Sequence, residues 1–369
     1  MKDVAIIGAG INGTALAHRL AKEGVDVALF DSEIAPGGSG AAGAFLSPKF
    51  LKSSEVKKVI NTALEEAFSF YEGVESTLIR RYPLLHIAKD ERDANNIRYM
   101  KEHNEITLLD TPPPFIPNKE YVFTDKSALV DAKNMCKALA RDVAFHGGKI
   151  KKIERKNGCW SLDDGKYRAK KLVLTTGAYG DLLDEVYFQG VLRAVWGHRI
   201  DVRCDFRSRC SIHQYVSISA SEDGELSIGA THDVHFKPDS GKKYDYEKGR
   251  EELLEKAGRT VELGDVKVLR DYVGFRSGSI DHLPIVGQVA DFDATLKKLG
   301  SFELKRKRQN FDDYVYHENL YMINGSAGYG FVLAPMLSRI LSEHILHDTQ
   351  LPSELVPARF LPRYVRRKL

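Results

Sequence analysis

The stretch from Met1 to Asp31 restricts the fold more than any other part of the chain. Asp3–Ile7 (DVAII) is a short apolar run of strand character that breaks at Gly8-Ala9-Gly10-Ile11-Asn12-Gly13. Thr14–Lys22 then carries Leu16, Ala17 and Leu20 at helical spacing. Gly24 stops that helix, and Val25–Phe30 is a second buried strand ending on Asp31. Gly8 permits a tight turn off the strand, Gly10 the approach of a pyrophosphate, and Gly13 close packing of helix on strand. The helix start offers N–H groups and a positive dipole end to phosphates, and Asp31 has lone pairs for both hydroxyls of an adenosine ribose. A lone GxGxxG is weak evidence. Here strand, glycines, helix, second strand and terminal acid follow in order at the right spacing. They predict a dinucleotide site built from Gly8, Ala9, Gly10, Ile11, Asn12, Gly13, Asp31 and Ser32.

A chain of 369 residues is too long for one ordinary domain, and 43% hydrophobic with 28% charged residues is the composition of a soluble globular protein. The formal charge of +3 and pI near 8.4 permit an anionic partner without requiring one. Cys136, Cys159, Cys204 and Cys210 form no CxxC pair, and no histidine stands at ligand spacing from Cys204 and Cys210. They read as reduced cytosolic thiols, so no metal site and a cytoplasmic location are expected. The chain starts directly in a strand, so no targeting segment is expected. No uncharged apolar run approaches the ~18 residues of a membrane span, and no membrane partner is expected.

Beyond Asp31, the small-residue run Ala35–Phe45 is too poor in side chains to form a core and suits close approach of backbone to a ligand, at Ser39, Gly40, Ala42, Gly43 and Ala44. Lys52–Glu72 predicts an amphipathic helix, Arg80–Ala88 a strand-like piece, and Asp90–His103 a polar helix. Thr111–Pro117, with four prolines, predicts a loop. Ser127–Arg141 has helical spacing behind a serine cap. Val143–His146, Lys149–Arg155, Cys159–Leu162 and Lys166–Ala169, separated by glycine turns, predict a β-meander. Leu172–Gly177 predicts a buried strand rejoining the first sheet. Residues 190–275 are strand-rich with one polar helix near Tyr246–Ala257, and Leu320–Ile323 and Ala334–His347 predict a last strand and helix. The first and last thirds therefore read as α/β with antiparallel sheet inserted between. This expects a discontinuous domain of residues 1–80, 127–190 and 270–369, and a second of 81–126 and 191–269.

NAD and FAD share the opening fingerprint, and two later stretches favour FAD. Leu172–Gly177 returns after a meander suited to covering the adenine end. Asn324-Gly-Ser-Ala-Gly-Tyr-Gly330 is a second glycine loop feeding a helix. One pyrophosphate needs one cradle, so the second helix start suits the flavin edge that gains negative charge on reduction. The expected cofactor contacts extend to Val143, Thr175, Thr176, Gly177, Gly325, Ala327, Gly328, Tyr329, Gly330 and Phe331.

Together, Gly8–Gly13, Asp31, Gly37–Ala44, Leu172–Gly177, Gly274-Phe-Arg276 and Gly325–Pro335 resemble the D-amino-acid oxidase, glycine oxidase and sarcosine oxidase superfamily of FAD enzymes over essentially the whole chain. Gly274–Gly287, Val289–Thr295, Phe311–Asp313 and the tail Ala358–Leu369 are similar to the oxidase domain of bifunctional tRNA wobble-uridine modification enzymes. The resemblance implies a Rossmann-like FAD domain with an inserted substrate domain. It also implies oxidation of a glycine-like secondary amine: removal of the carboxymethyl group of 5-carboxymethylaminomethyluridine, giving 5-aminomethyluridine and glyoxylate. Those enzymes carry a methyltransferase domain ahead of the oxidase. None precedes Met1, so the oxidative step alone is expected, with a separate methyltransferase as a possible partner. The superfamily's arginine-proline pair is Arg276-Ser277 here. Relatives with covalent flavin use a late cysteine, and none follows Cys210, so non-covalent FAD is expected.

The resemblance makes Arg276, also a cofactor contact, the carboxylate clamp, because a guanidinium meets a carboxylate with two parallel hydrogen bonds. Tyr215, read as lying in a strand of the substrate sheet, is a second candidate, and His232 and Tyr329 are weaker ones. Asp281-His282 could orient Arg276 or cap a loop. The basic tail residues Arg359, Arg363, Arg366, Arg367 and Lys368, with Lys305–Arg308 as a second cluster, suit tRNA phosphates or form a solvated end. Two other functions remain open at this point: a free glycine, sarcosine or D-amino-acid oxidase or dehydrogenase, and a flavin-binding subunit without chemistry of its own.

Overall fold

The computed structural model describes residues 1–111, 113, 119–236 and 243–369. The proline-rich segment expected as a loop at Thr111–Pro117 lies largely outside the described residues. The chain divides into two compact units. One comprises residues 1–36, 136–194 and 276–369, the other residues 37–135 and 195–275.

The first unit is an α/β layer structure. Its eight-stranded sheet runs Ile285–Ala290, Tyr316–Asn324, Tyr167–Leu174, Lys2–Ile7, Val27–Asp31, Ala144–Gly147, with Ile153–Lys156 and Cys159–Leu162 added antiparallel at the start of Tyr167–Leu174. The four pairings from Tyr316–Asn324 through to Ala144–Gly147 are parallel. Parallel strands covered on both faces read as continuous apolar runs, which is why Val4–Ile7 and Val27–Phe30 are buried throughout. Register brings the carboxyl ends level: Ile7 pairs Phe30 and Leu174, and Leu174 pairs Met322. The helices Ile11–Lys22 and Gly330–His347 pack on one another, and Arg19 of the first donates to Ser338 Oγ (3.0 Å) and Pro335 O (3.2 Å) of the second.

Two expectations change here. Lys166–Ala169 and Leu172–Gly177 are one strand, Tyr167–Leu174, paired antiparallel at its start and parallel beyond it. The segment Ala144–Gly147 leaves the meander for the parallel edge beside Val27–Asp31. The Lys170-Lys171 pair hides the continuity of the first, and the Gly147-Gly148 turn after the second does not lead into a hairpin. The tail, read only as a basic end, folds into a turn at Pro357–Phe360 and a helix at Leu361–Lys368, with Leu361 and Val365 fully buried.

The second unit holds a seven-stranded sheet in the order Lys267–Ser279, Leu192–Arg203, Glu225–Gly229, Ser217–Ile218, Ser211–His213, Leu84–Ile87, Tyr121–Thr124. From Leu192–Arg203 onward the neighbours run antiparallel except Ser211–His213 with Leu84–Ile87, which are parallel. A core of Leu85, Ile87, Ile200, Val202, Ile212, Ile228 and Leu253 lies under the helix Tyr246–Gly258. A three-stranded sheet joins Phe45–Leu46, Ala128–Val130 and Ile79–Arg81. The helix Glu55–Glu75 packs on two of these strands, and residues 37–80 accordingly cluster with this unit rather than with the first. Ser127–Arg141 is not one helix: Ala128–Val130 is a strand, the helix is Ala132–Leu139, and Asp131, not Ser127, accepts its first-turn N–H (Asn134 N, 3.2 Å).

Candidate functional site

In the first unit, four loops meet at the carboxyl ends of the parallel strands. Gly8 turns off its strand at φ 111°, and a Cβ there would lie 2.4 Å from Thr175 O; one on Gly13 would lie 1.9 Å from Gly8 O. Thr175 is buried and donates its hydroxyl to Gly8 O (2.7 Å), which fixes the second loop against the first. The helix Ile11–Lys22 starts from Gly10 with no side-chain cap and no acid in its first turn. Such a start leaves backbone N–H groups and a positive dipole end to be met by something else. Asp31 ends the neighbouring strand, accepting from Ala9 N (2.8 Å) and Ser32 N (2.7 Å), with lone pairs left for hydroxyls.

The third and fourth loops lock onto these. Asn324 ends its strand and donates to Gly177 O (2.9 Å), while its Oδ1 accepts from Gly325 N (2.8 Å) and Ser277 Oγ (2.8 Å). Gly278 bridges Ser326, and Ser326 Oγ accepts from Asn12 Nδ2 (3.3 Å). Gly325 (φ 72°) and Ala327 (φ 49°) turn the chain into the helix that begins at Gly330, again without a side-chain cap at Tyr329. Arg276 stands two residues before Gly278 and is half-buried. Loss of solvent pulls its guanidinium below the ordinary arginine value.

These residues fit an FAD: a pyrophosphate cradle in which Gly8 and Gly13 have no room for a Cβ, a ribose acceptor at Asp31, and a second uncapped helix start for an electron-rich ring edge. The structure thus groups Gly8–Gly13, Asp31, Ser32, Thr175, Thr176, Gly177, Arg276, Gly325 and Ala327–Phe331 in one unit. Val143 belongs to it as well, preceding the edge strand Ala144–Gly147. Ser277, Asn324 and Ser326, which the sequence reading did not single out, tie the loops together. The one signal in the sequence was an asparagine directly before the glycine turn, a residue suited to bonding nearby backbone.

Apart from the basic tail, the remaining candidates belong to the second unit. Ser39 and Gly40 lie in the short helix Gly38–Ala41, and Ala42, Gly43 and Ala44 follow it, with Ala44 at φ 47°. A Cβ on Gly274 would come within 3.0 Å of the Gly37 and Gly38 backbone, so the glycine lets strand and helix touch. Tyr215 lies in the turn between Ser211–His213 and Ser217–Ile218, not in a strand, and accepts from Lys119 Nζ (3.2 Å). His232 is exposed. Asp271, also unassigned from sequence, joins His198 Nε2 (2.9 Å) and Arg250. Trp196 packs on Phe236, Tyr244 and Phe275 with ring centroids 4.8, 5.6 and 5.0 Å away.

The basic tail divides. Arg359, with only 9% of its side chain exposed, donates to both Asp281 carboxylate oxygens (2.9 and 3.1 Å) and to three backbone carbonyls. Burial pushes the Asp281 carboxyl up, but the Arg359 guanidinium holds it below its ordinary value. Arg359 is therefore a buried structural cation rather than a phosphate contact, and Asp281 is committed to Arg359, not Arg276. Arg363 is half-buried, and Arg366, Arg367 and Lys368 are exposed. Among the described residues, Glu185, Asp291 and His317 approach closely enough to hold a metal ion. His317 is hydrogen-bonded to Glu185, which raises the imidazole above its ordinary value.

Comparison with known proteins extends this picture. The family model described as DAO, FAD dependent oxidoreductase, matches residues 3–344. The tRNA 5-methylaminomethyl-2-thiouridine biosynthesis bifunctional protein MnmC of Leptospira interrogans is 26% identical over an alignment of 403 residues, covering 100% of this chain and 62% of that protein. MnmC of Campylobacter fetus is also 26% identical, with 100% and 61% covered. The chain thus spans about three fifths of these relatives. Among solved structures, glycine oxidase from Bacillus cereus superposes with TM-score 0.76 at 19% identity, covering 95% of this chain and 96% of that one. Iminodiacetate oxidase from a Chelativorans species gives 0.75 at 18%, covering 96% and 98%. At these identities the likeness is one of fold. No helix among the described residues is long and apolar enough to cross a membrane.

Proposed function

The chain belongs to the DAO family of FAD-dependent oxidoreductases, and from that premise we propose that it oxidatively removes the carboxymethyl group of 5-carboxymethylaminomethyluridine in tRNA. The observation that carries this reading is the match to MnmC proteins along the whole chain. The first unit is the cofactor unit on this reading, and the second provides the substrate side.

Bound FAD supplies a two-electron hydride acceptor. The Gly8–Gly13 loop and the helix start behind it hold the pyrophosphate, Asp31 the ribose, and the Gly325–Phe331 turn the electron-rich edge of the ring. Attachment is non-covalent. Arg276 binds the carboxylate of the –CH2–NH–CH2–COO⁻ arm; its partly desolvated guanidinium strengthens that ion pair. Fixing the carboxylate fixes the carbon that loses hydride, which is orientation rather than acid–base catalysis. The neutral amine has a lone pair to stabilise the developing imine. Water then hydrolyses the substrate imine to glyoxylate and 5-aminomethyluridine, so two electrons leave the arm and one water is consumed. Tyr215, Tyr329 and His232 are secondary candidates on the substrate side, and the enzyme acts in the cytoplasm.

The test is nucleoside mass spectrometry on tRNA carrying the carboxymethylaminomethyl group before and after incubation with the purified flavoprotein. Conversion to 5-aminomethyluridine with matching glyoxylate is expected. Unchanged tRNA alongside turnover of free glycine or sarcosine rejects the reading in favour of an amino-acid oxidase. Turnover of none of them leaves a flavin-binding subunit.

A further inference from the structure

We propose that the two basic clusters of the first unit form a single RNA-docking surface on the paired ends of the helices Phe292–Leu304 and Leu361–Lys368. This inference rests on the tRNA substrate proposed above and assigns the face that receives it. In sequence, Lys305–Arg308 and Arg366–Lys368 lie far apart. In the fold the two helices pack on each other, with Leu304, Leu361 and Val365 fully buried in one core and the Phe292 and Tyr364 rings 5.3 Å apart. Arg366 Nη1 donates to Arg306 O at 3.4 Å, so the second cluster touches the backbone of the first.

The turn that carries the first cluster is held in place. Gln309 Nε2 donates to Glu303 O (3.0 Å) and Arg306 O (2.7 Å), closing off the helix end, and Gln309 Oε1 accepts from the buried Tyr314 hydroxyl (2.8 Å). Lys305–Arg308 and Arg366–Lys368 are all exposed. Glu303 pairs with Arg306 (2.9 Å), and Asp312 and Asp313 are the exposed acids that follow the turn. Cations remain in excess. Phe302, after the break at Gly300 (φ 75°), leaves 76% of its surface exposed, 5.9 Å from the Arg306 guanidinium. A large ring held in water among cations is costly for a solitary surface but suited to stacking on a base while its neighbours neutralise phosphates. Charge complementarity and this ring suit RNA. A lipid surface could use the same charge and bury the ring; the tRNA substrate proposed above is what favours RNA, and vesicles are the competing outcome of the test.

Fluorescence anisotropy of the purified flavoprotein with a labelled, unmodified tRNA transcript, over a series of salt concentrations, tests the surface. Arg366→Ser/Arg367→Ser/Lys368→Ser and Lys305→Ser/Lys307→Ser/Arg308→Ser are each expected to weaken binding by about tenfold or more near physiological salt. Each should flatten the salt dependence by about one power of salt for every phosphate that is no longer neutralised. Phe302→Ala is expected to weaken binding without changing that slope. Lys151→Ser/Lys156→Ser, in the same unit, is the control. Melting temperatures keep loss of folding apart from loss of binding. Wild-type affinity in both triple variants, or no RNA binding by the wild type, overturns the proposal. So does equal or tighter binding to anionic phosphatidylserine vesicles, with or without the Phe302 ring. Wild-type oxidation of the free modified nucleoside reads the proposed function separately: turnover without RNA binding defeats the surface alone, and RNA binding without turnover defeats the function alone.

Discussion

Gly13 has no space for a side chain, since a Cβ would stand 1.9 Å from Gly8 O and 2.6 Å from Thr175 Oγ1. Gly13→Ala therefore forces the cradle open, and the purified variant is predicted to carry little flavin by absorbance per protein. Flavin content equal to wild type would show that the loop holds nothing. Arg276→Ala is predicted to keep its flavin spectrum and lose about 10²- to 10³-fold in kcat/KM, the cost of deleting one side of a desolvated ion pair. His86 and His213 face each other in the second unit, ring centroids 6.5 Å apart, each with a buried and unpartnered Nδ1 among the described residues. Burial lowers His86 to about 4 and His213 to about 3, so both are neutral in the folded protein. The unfolded chain takes up these protons near pH 6.5. Stability is thus complete above that pH and falls as pH drops toward 4, by about 3 kcal/mol for His86 alone. Chemical denaturation at pH 7 and pH 5 reads this, and the double variant to asparagine should flatten it. At this scale the glycines and Asp31 were legible because steric and hydrogen-bonding demands act within a few residues. Arg359 was not, because its carboxylate partner Asp281 lies 78 positions away in the chain.

Elements were legible where their period was local and their ends were marked. The strand and helix of the opening fingerprint and the last helix lie close to where apolar spacing puts them. Ser127–Arg141 failed because Ala128-Leu-Val130 pairs with Phe45–Leu46 and Ile79–Arg81, partners that spacing cannot reveal. The terminal helix was missed because it is short and opens on Pro362 at its first turn, a position where proline is tolerated. Asn324 holds the end of its strand to Ser277, Gly177 and Gly325. Asn324→Ala is predicted to cost about 2 kcal/mol of stability in denaturant titration, as the partners lose their bonds, and to loosen flavin retention. An unchanged midpoint would mean the loops are held by packing alone. Breaking the buried pair by Arg359→Ala should cost about 3 kcal/mol or more while leaving RNA affinity per folded molecule intact.

For the molecule as a whole, interleaved α/β and antiparallel segments predict two discontinuous domains; the compact units are residues 1–36, 136–194 and 276–369, and residues 37–135 and 195–275. The boundary follows the packing of Glu55–Glu75 on its own small sheet, a tertiary choice that composition does not record. Joining two basic stretches into one face is likewise a property of the assembled fold and not of either stretch. The central claim, oxidation of a carboxymethyl arm carried by tRNA, is tested most directly by anaerobic titration of the purified flavoprotein. Bleaching of the flavin absorbance by one equivalent of tRNA bearing 5-carboxymethylaminomethyluridine, with one equivalent of glyoxylate released and no bleaching by matched tRNA lacking the group, is predicted. Flavin that stays oxidised with the modified tRNA but is reduced by glycine or sarcosine would contradict it.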